Sequence, residues 1–298
     1  MRKIMIWFKE LRPHFLLLTP ITVFVSISCL IYEGNLPNLT DVTLVLIGTL
    51  LAHISVNVLN DYFDYKSGLD MRTKRTPFSG GSGMLVSGLL NPLHVKILGL
   101  TCMLLGLTIA IYFYFKVGWP VLILALTGAF LIYFYTDYLT KVGLAEVSAG
   151  LGIALMCIGS YYALSGAFSE NILYLSSIVF LTTANLLLLN EFPDTEVDKV
   201  VGRRHVPAKL GFKRASYAFT LLELLSYVIL AYLTVTRIPL LALTFLTVPL
   251  AFKTCKGVLE NSDQSIEQIL PYLGLNVKLV FSKLLLVSIS LIIYKIIF

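Results

Sequence analysis

A chain of 298 residues that is 57% hydrophobic and 13% charged, with a mean hydropathy of +0.84, excludes an ordinary water-soluble globule. Soluble domains carry about 25% charged residues, so a chain this poor in charge turns most of its surface to lipid. The net charge of +6 calls for no nucleic-acid partner, because basic loops at one membrane face produce it.

In chain order, residues 1–13 mix Lys and Arg with Ile4, Ile6, Trp7, Phe8 and Leu11, which suits a short helix in the membrane interface. The first apolar run lacks a small-residue cleavage site, so a cleaved signal peptide is not expected. Nine apolar stretches of spanning length follow, at 14–32, 41–60, 93–115, 119–136, 144–166, 172–190, 215–234, 237–252 and 279–298. The expectation is an all-α integral membrane protein: nine transmembrane helices in one bundle and one domain over 1–298. Lys and Arg gather before the first span and after the second, fourth, sixth and eighth. That asymmetry predicts a multi-pass cell-membrane protein with a cytoplasmic N-terminus and cytoplasmic active-site loops at 61–92 and 191–214. The four cysteines show no metal-ligand spacing and read as small core residues.

Two span ends carry related acidic patterns. The second closes on Asn60-Asp61-Tyr62-Phe63-Asp64, followed by Lys66 and Asp70, and the sixth on Asn190-Glu191-Phe192-Pro193-Asp194, followed by Asp198. Their recurrence four spans apart, in the same orientation, suggests an internal repeat of four-helix units. Helical spacing stacks Asn60 on Asp64 with Asp61 beside them, and His53 and Asn57 continue the stripe; Asn190, Asp194 and Asp198 follow the same rule. Pro193 should loosen and kink the sixth span there, because it removes a backbone donor. One acid near a span end is ordinary, but converging carboxylates repel unless cations compensate them. Hard oxygen donors favour magnesium or calcium, and magnesium completes its shell with water and phosphate oxygens. Two facing clusters suit two ions with a diphosphate between them.

The connections add basic and aromatic groups. Arg72, Lys74 and Arg75 precede the flexible Ser79-Gly80-Gly81-Ser82-Gly83, which lacks the spacing of a nucleotide phosphate loop; Lys199, Arg203 and Arg204 follow the second cluster. A third connection offers Tyr135, Tyr138 and Lys141, residues an interfacial aromatic belt also explains. Glu223, deep in the seventh span, is a functional candidate without an evident partner.

With those residues in place, the chain resembles the UbiA superfamily of intramembrane prenyltransferases along nearly all its length. Asn60, Asp61, Asp64 and Asp70 meet the first motif of the menaquinone-type branch, and Asp194 and Asp198 the second. Tyr135 through Glu146, and Asp198 through Gly211, also fit that branch. Glu191 departs from it, as does the loop from Arg75 to Gly83. The resemblance implies magnesium-dependent prenyl transfer from an isoprenoid diphosphate to a hydrophobic or aromatic acceptor, a quinone precursor foremost. It implies Asn60, Asp64, Asp194 and Asp198 as leading metal ligands, with Asp61, Asp70 and Asn190 beside them. Lys66, Arg72, Arg75, Lys141 and Arg203 would neutralise the diphosphate, and Tyr62, Tyr135 and Tyr138 would face an allylic cation. The catalytic set is then Asp61, Asp64, Asp194, Asp198, Lys141 and Tyr135.

Other readings stay open: prenyl transfer to a glyceryl ether phosphate, a cation-coupled transporter, or a phosphatidyl-type alcohol transferase. The transporter is disfavoured because the repeats share one orientation and the acids gather at one face. The alcohol transferase lacks its Asp-Gly-x-x-Ala-Arg motif here.

Overall fold

The computed structural model describes residues 2–76 and 79–298, apart from the Arg2 side chain; Met1, Pro77 and Phe78 lie outside the described residues. Nine helices long and apolar enough to span a membrane occur among the described residues, and no strand does. A short helix α1 (Arg2–Glu10) leads into α2 (Pro13–Tyr32), α3 (Leu39–Ser67), α4 (Pro92–Val117), α5 (Pro120–Val142), α6 (Ala145–Ser165) and α7 (Glu170–Asn190). Two short helices, α8 (Thr195–Val200) and α9 (Val206–Leu210), precede α10 (Phe212–Thr236), α11 (Pro239–Asn261) and α12 (Ile266–Ile297).

Local chemistry sets the boundaries. Asn38 opens α3 by accepting the Thr40 N–H at 2.8 Å, and Gly68, at φ 77°, closes it. No Pro lies between Leu39 and Ser67 and no Gly after Gly48, so α3 runs seven residues past its expected end. The first acidic cluster therefore stands on helix. α12 begins thirteen residues earlier than expected, at a capping box formed by Ser265 and Gln268. Pro271 lies inside this helix, in its second turn, and removes one backbone donor there. α11 starts as a tight 3-10 segment over Pro239–Thr247 and ends later than hydropathy suggested, because its last turns are amphipathic.

The largest core joins α2, α6, α7, α10 and α12 through Val25, Cys157, Ile178, Leu230 and Leu284, among others. Inside this apolar packing lies a charged pair. Lys283 of α12, fully buried, donates to Glu223 of α10 at 2.6 Å and to Ser226 at 2.8 Å. Its ammonium also lies 4.2 Å from the Tyr227 ring centre, and Asn185 of α7 donates to the other Glu223 oxygen at 3.4 Å. Glu223 thus has its partner: a polar tie across three helices. Lys283→Met should destabilise the detergent-solubilised protein by about 3–5 kcal/mol, because it strands a buried carboxylate. Adding Glu223→Leu should recover most of that loss, and denaturant unfolding of the two variants measures it.

Candidate active site

The two acidic clusters meet at one end of the bundle. Asn60 of α3 donates to Asp64 Oδ2 at 3.0 Å and to the Thr136 hydroxyl of α5 at 3.1 Å. The other Asp64 oxygen accepts a hydrogen bond from Arg203, whose second terminal nitrogen reaches Asp198 Oδ1 at 3.0 Å. One guanidinium therefore ties the first cluster to the second. Across the site, Arg12 reaches Asn60 at 3.3 Å and Asp61 at 3.4 Å. Arg12 is the one non-glycine residue with positive φ among the described residues (54°), a costly conformation held where the chain turns from α1 into α2.

The second cluster is built by a helix break. α7 stops at Asn190, residues 191–194 form turns around Pro193, and α8 restarts at Thr195. The break turns Asn190, Asp194 and Asp198 inward, and all three line the central cavity. Asn190 Oδ1 and Asp194 Oδ1 are buried with no hydrogen-bond partner. Such orphaned hard oxygens, beside two carboxylates shared by one guanidinium, are a donor set that suits a small divalent cation. Burial first, then the Asp198 charge, lifts the Asp194 carboxyl to about 7, with Ser79 and Arg203 opposing. A bound cation would reverse that lift.

Asp61 and Asp70 hold the glycine loop. The Ser82 N–H donates to Asp61 Oδ2 at 2.7 Å, and a side chain at Gly81 would lie 2.9 Å from an Asp70 oxygen. Gly81, at φ 66°, lets the backbone press onto both carboxylates. Burial, then Asp64 and Asp61, raises Asp70 to about 8. Asp70 lines the cavity and Asp61 lies behind it.

The third connection departs from regular helix. Residues Tyr135–Leu139 form a π-helical turn, which sets Tyr135 and Thr140 on the cavity wall. Tyr138 and Lys141 face outward, Lys141 lying 3.7 Å from Asp137. Lys66, Arg72 and Arg75 are also exposed, with the Arg75 guanidinium folded over Gly83. Of the five basic residues expected at a diphosphate, only Arg203 lines the cavity.

Three groups at this end, His205, Glu146 and Glu10, were given no role of their own by the sequence reading. His205 caps α9 by accepting the Ala208 N–H at 3.3 Å, and its Nε2 lies 3.0 Å from Asp198. Glu146 and Glu191 join His205 in a buried cluster whose ligand atoms lie within 4.8 Å of one another. Burial, then Glu146, holds the Glu191 carboxyl well above its usual range. Glu10 of α1, also buried, accepts the Ser82 hydroxyl at 2.6 Å. No spacing rule links these residues, since they approach only through tertiary packing.

Glu10 makes the loop sensitive to pH. Burial, then Asp61, raises its carboxyl to about 7. The folded chain keeps that proton to higher pH than the unfolded chain, so stability falls as pH rises from about 4.5 to 7. Glu10→Gln should flatten this fall by at most about 3 kcal/mol. Melting temperatures at pH 5 and 7.5, wild type against variant, measure the difference.

Behind the polar end, a cavity of about 500 Å³ runs between α3, α4, α5 and α6. An acid- and guanidinium-rich mouth opening onto an apolar interior fits an amphiphile with an anionic head and a hydrocarbon tail. Residues 19–279 match the model of the UbiA prenyltransferase family. The chain belongs to that family. It is therefore an intramembrane prenyltransferase and a multi-pass membrane protein.

A 1,4-dihydroxy-2-naphthoate octaprenyltransferase of Bacillus subtilis is 25% identical over 258 residues, covering 84% of this chain and 81% of that protein. A 2-carboxy-1,4-naphthoquinone phytyltransferase of Synechocystis is 29% identical over 195 residues, 63% of this chain and 61% of that one. Among solved structures, a UbiA homologue from Archaeoglobus fulgidus bound to DMAPP and Mg2+ shares the fold, with TM-score 0.62 and 16% identity over 95% of this chain and 98% of that one. The apo UbiA homologue from Aeropyrum pernix K1 gives 0.68 and 15% over 93% and 97%. Family membership decides for prenyl transfer over the transporter and alcohol-transferase readings.

Proposed function

We propose that this enzyme transfers a prenyl group from an isoprenoid diphosphate to an aromatic quinone precursor, with a dihydroxynaphthoate as the leading acceptor. The observation that carries the reading is the Arg203 bridge between Asp64 and Asp198 at the mouth of the apolar cavity. The naphthoate acceptor is supported by the names of the two relatives. The basic residues flanking this end support a cytoplasmic orientation for it in the cell membrane.

Asn60, Asp64, Asn190, Asp194 and Asp198 would hold magnesium, in number enough for two ions, with Asp61 and Asp70 anchoring the loop beside them. When bound, magnesium supplies positive charge to the departing diphosphate. Arg203, between the clusters, orients the diphosphate and takes up charge as its bond to carbon lengthens. Tyr135 presents its ring on the cavity wall, where an aromatic face stabilises allylic cation character. The apolar walls exclude water, which would otherwise capture that cation. The acceptor ring forms the new carbon–carbon bond, pyrophosphate leaves, and loss of a ring proton restores aromaticity.

Purified enzyme supplied with geranylgeranyl diphosphate and a panel of acceptors tests this. A prenylated naphthoate is the expected product. Product formed only on a glyceryl ether phosphate, or on none of the panel, would overturn the acceptor assignment. Structural likeness to a digeranylgeranylglyceryl phosphate synthase, at 18% identity, concerns the fold alone.

A further inference from the structure

The cavity has a floor. Fourteen residues of α5 separate Tyr135 at the mouth from Val121, and fifteen of α6 separate Ser148 from Ala163. At 1.5 Å per helical residue, both walls are roughly 21–23 Å deep. The far end is closed by Phe113, Val121 and Ala163, which are buried and packed with Val23, Val45 and Tyr162 in one cluster.

Three glycines keep the shaft open. A Cβ added at Gly128, Gly152 or Gly159 would meet nothing within 4 Å, and all three line the cavity. Other helical glycines behave differently: a Cβ at Gly150 would lie 2.7 Å from the Phe180 carbonyl oxygen, so that glycine serves helix packing. Glycine inside a helix costs about 0.5–1 kcal/mol relative to alanine. These three give no contact in return; what they leave is space. By helical rise Gly152, Gly128 and Gly159 stand about 6, 10 and 16 Å below the mouth.

We propose that this shaft measures the donor: it takes a tail of four isoprene units, and the floor at Phe113 refuses longer ones. The inference rests on the prenyl-transfer reading of the same site and deepens it. An isoprene unit adds four chain bonds of about 1.5 Å, or about 5 Å when extended. Four units match the shaft. Eight units would need about 40 Å, more than the roughly 30 Å hydrocarbon core of a bilayer. The two relatives bracket the alternatives, since one is named for an octaprenyl and the other for a phytyl group. The closed floor places this chain with the shorter tail.

The test uses the full-length enzyme with magnesium and allylic diphosphates of two, three, four and eight units. It reads transfer efficiency and, separately, the rise in melting temperature each donor causes. In the wild type, both readouts should peak at four units and fall at least tenfold (for transfer) at eight. Gly159→Leu should lower the four-unit to three-unit ratio at least tenfold. Gly128→Leu, about 10 Å below the mouth, should also lower the three-unit to two-unit ratio. Phe113→Ala should raise the eight-unit to four-unit ratio. Equal use of four and eight units by the wild type, or one donor profile shared by all variants, overturns the ruler. Absence of transfer with every donor, while melting shifts keep the graded order, would instead overturn the transferase reading and leave the ruler standing.

Discussion

Replacing Asp64 or Asp198 with asparagine should abolish prenyl transfer while the protein stays folded. Each carboxylate holds one arm of the Arg203 guanidinium and stands beside the orphaned oxygens of Asn190 and Asp194. Asparagine keeps the shape and one acceptor oxygen but removes the charge that a divalent cation requires. Losing about 4 kcal/mol of transition-state stabilisation corresponds to about a thousandfold in rate. Folding should not suffer, because the neutral amide relieves repulsion within a crowded acidic group. Turnover of a prenyl diphosphate, beside a melting curve for each variant, separates the two effects. Wild-type turnover in either variant would refute the assignment of these carboxylates.

The second large effect concerns Arg203. Its side chain is 13% exposed and lies between two carboxylates of 9% and 4% exposure. Without a divalent ion it is the only guanidinium contacting both clusters among the described residues. Arg203→Leu leaves Asp64 with only the Asn60 amide, and Asp198 with His205. Removing one partner of such a buried arrangement costs about 3–5 kcal/mol. In chelator the variant should melt well below wild type. Magnesium should then restore more stability to the variant than it adds to wild type, since binding at a hundred times Kd contributes about 2.7 kcal/mol. Turnover should remain depressed, because magnesium replaces the charge but does not orient the diphosphate. Equal magnesium stabilisation of both proteins would mean that Arg203 carries no cation-like role.

The membrane fold and the two clusters could be read from the chain because both are local signals. Apolar runs mark spans, and Asn60, Asp64, Asn190, Asp194 and Asp198 recur within one or two helical turns of each other. What could not be read depends on tertiary approach. Glu223 and Lys283 are 60 residues apart, and each looks anomalous alone. An isolated acid and an isolated lysine within apolar spans are, in retrospect, a pairing signal. Glu10 gave none, and Glu146 and His205 lay in stretches that fit the family pattern without any spacing that would join them. Among the basic loop residues, composition could not separate Arg203 from Lys66, Arg72 or Lys141. Topology makes all of them basic, while only the chain path through the Pro193 break carries Arg203 inward.

The most direct test of the central claim measures pyrophosphate released from geranylgeranyl diphosphate by purified enzyme, with and without magnesium and with and without 1,4-dihydroxy-2-naphthoate. Release that requires both, matched by an equal amount of prenylated naphthoate, is the predicted result. Release that persists in excess chelator, or no release with both present, would contradict it.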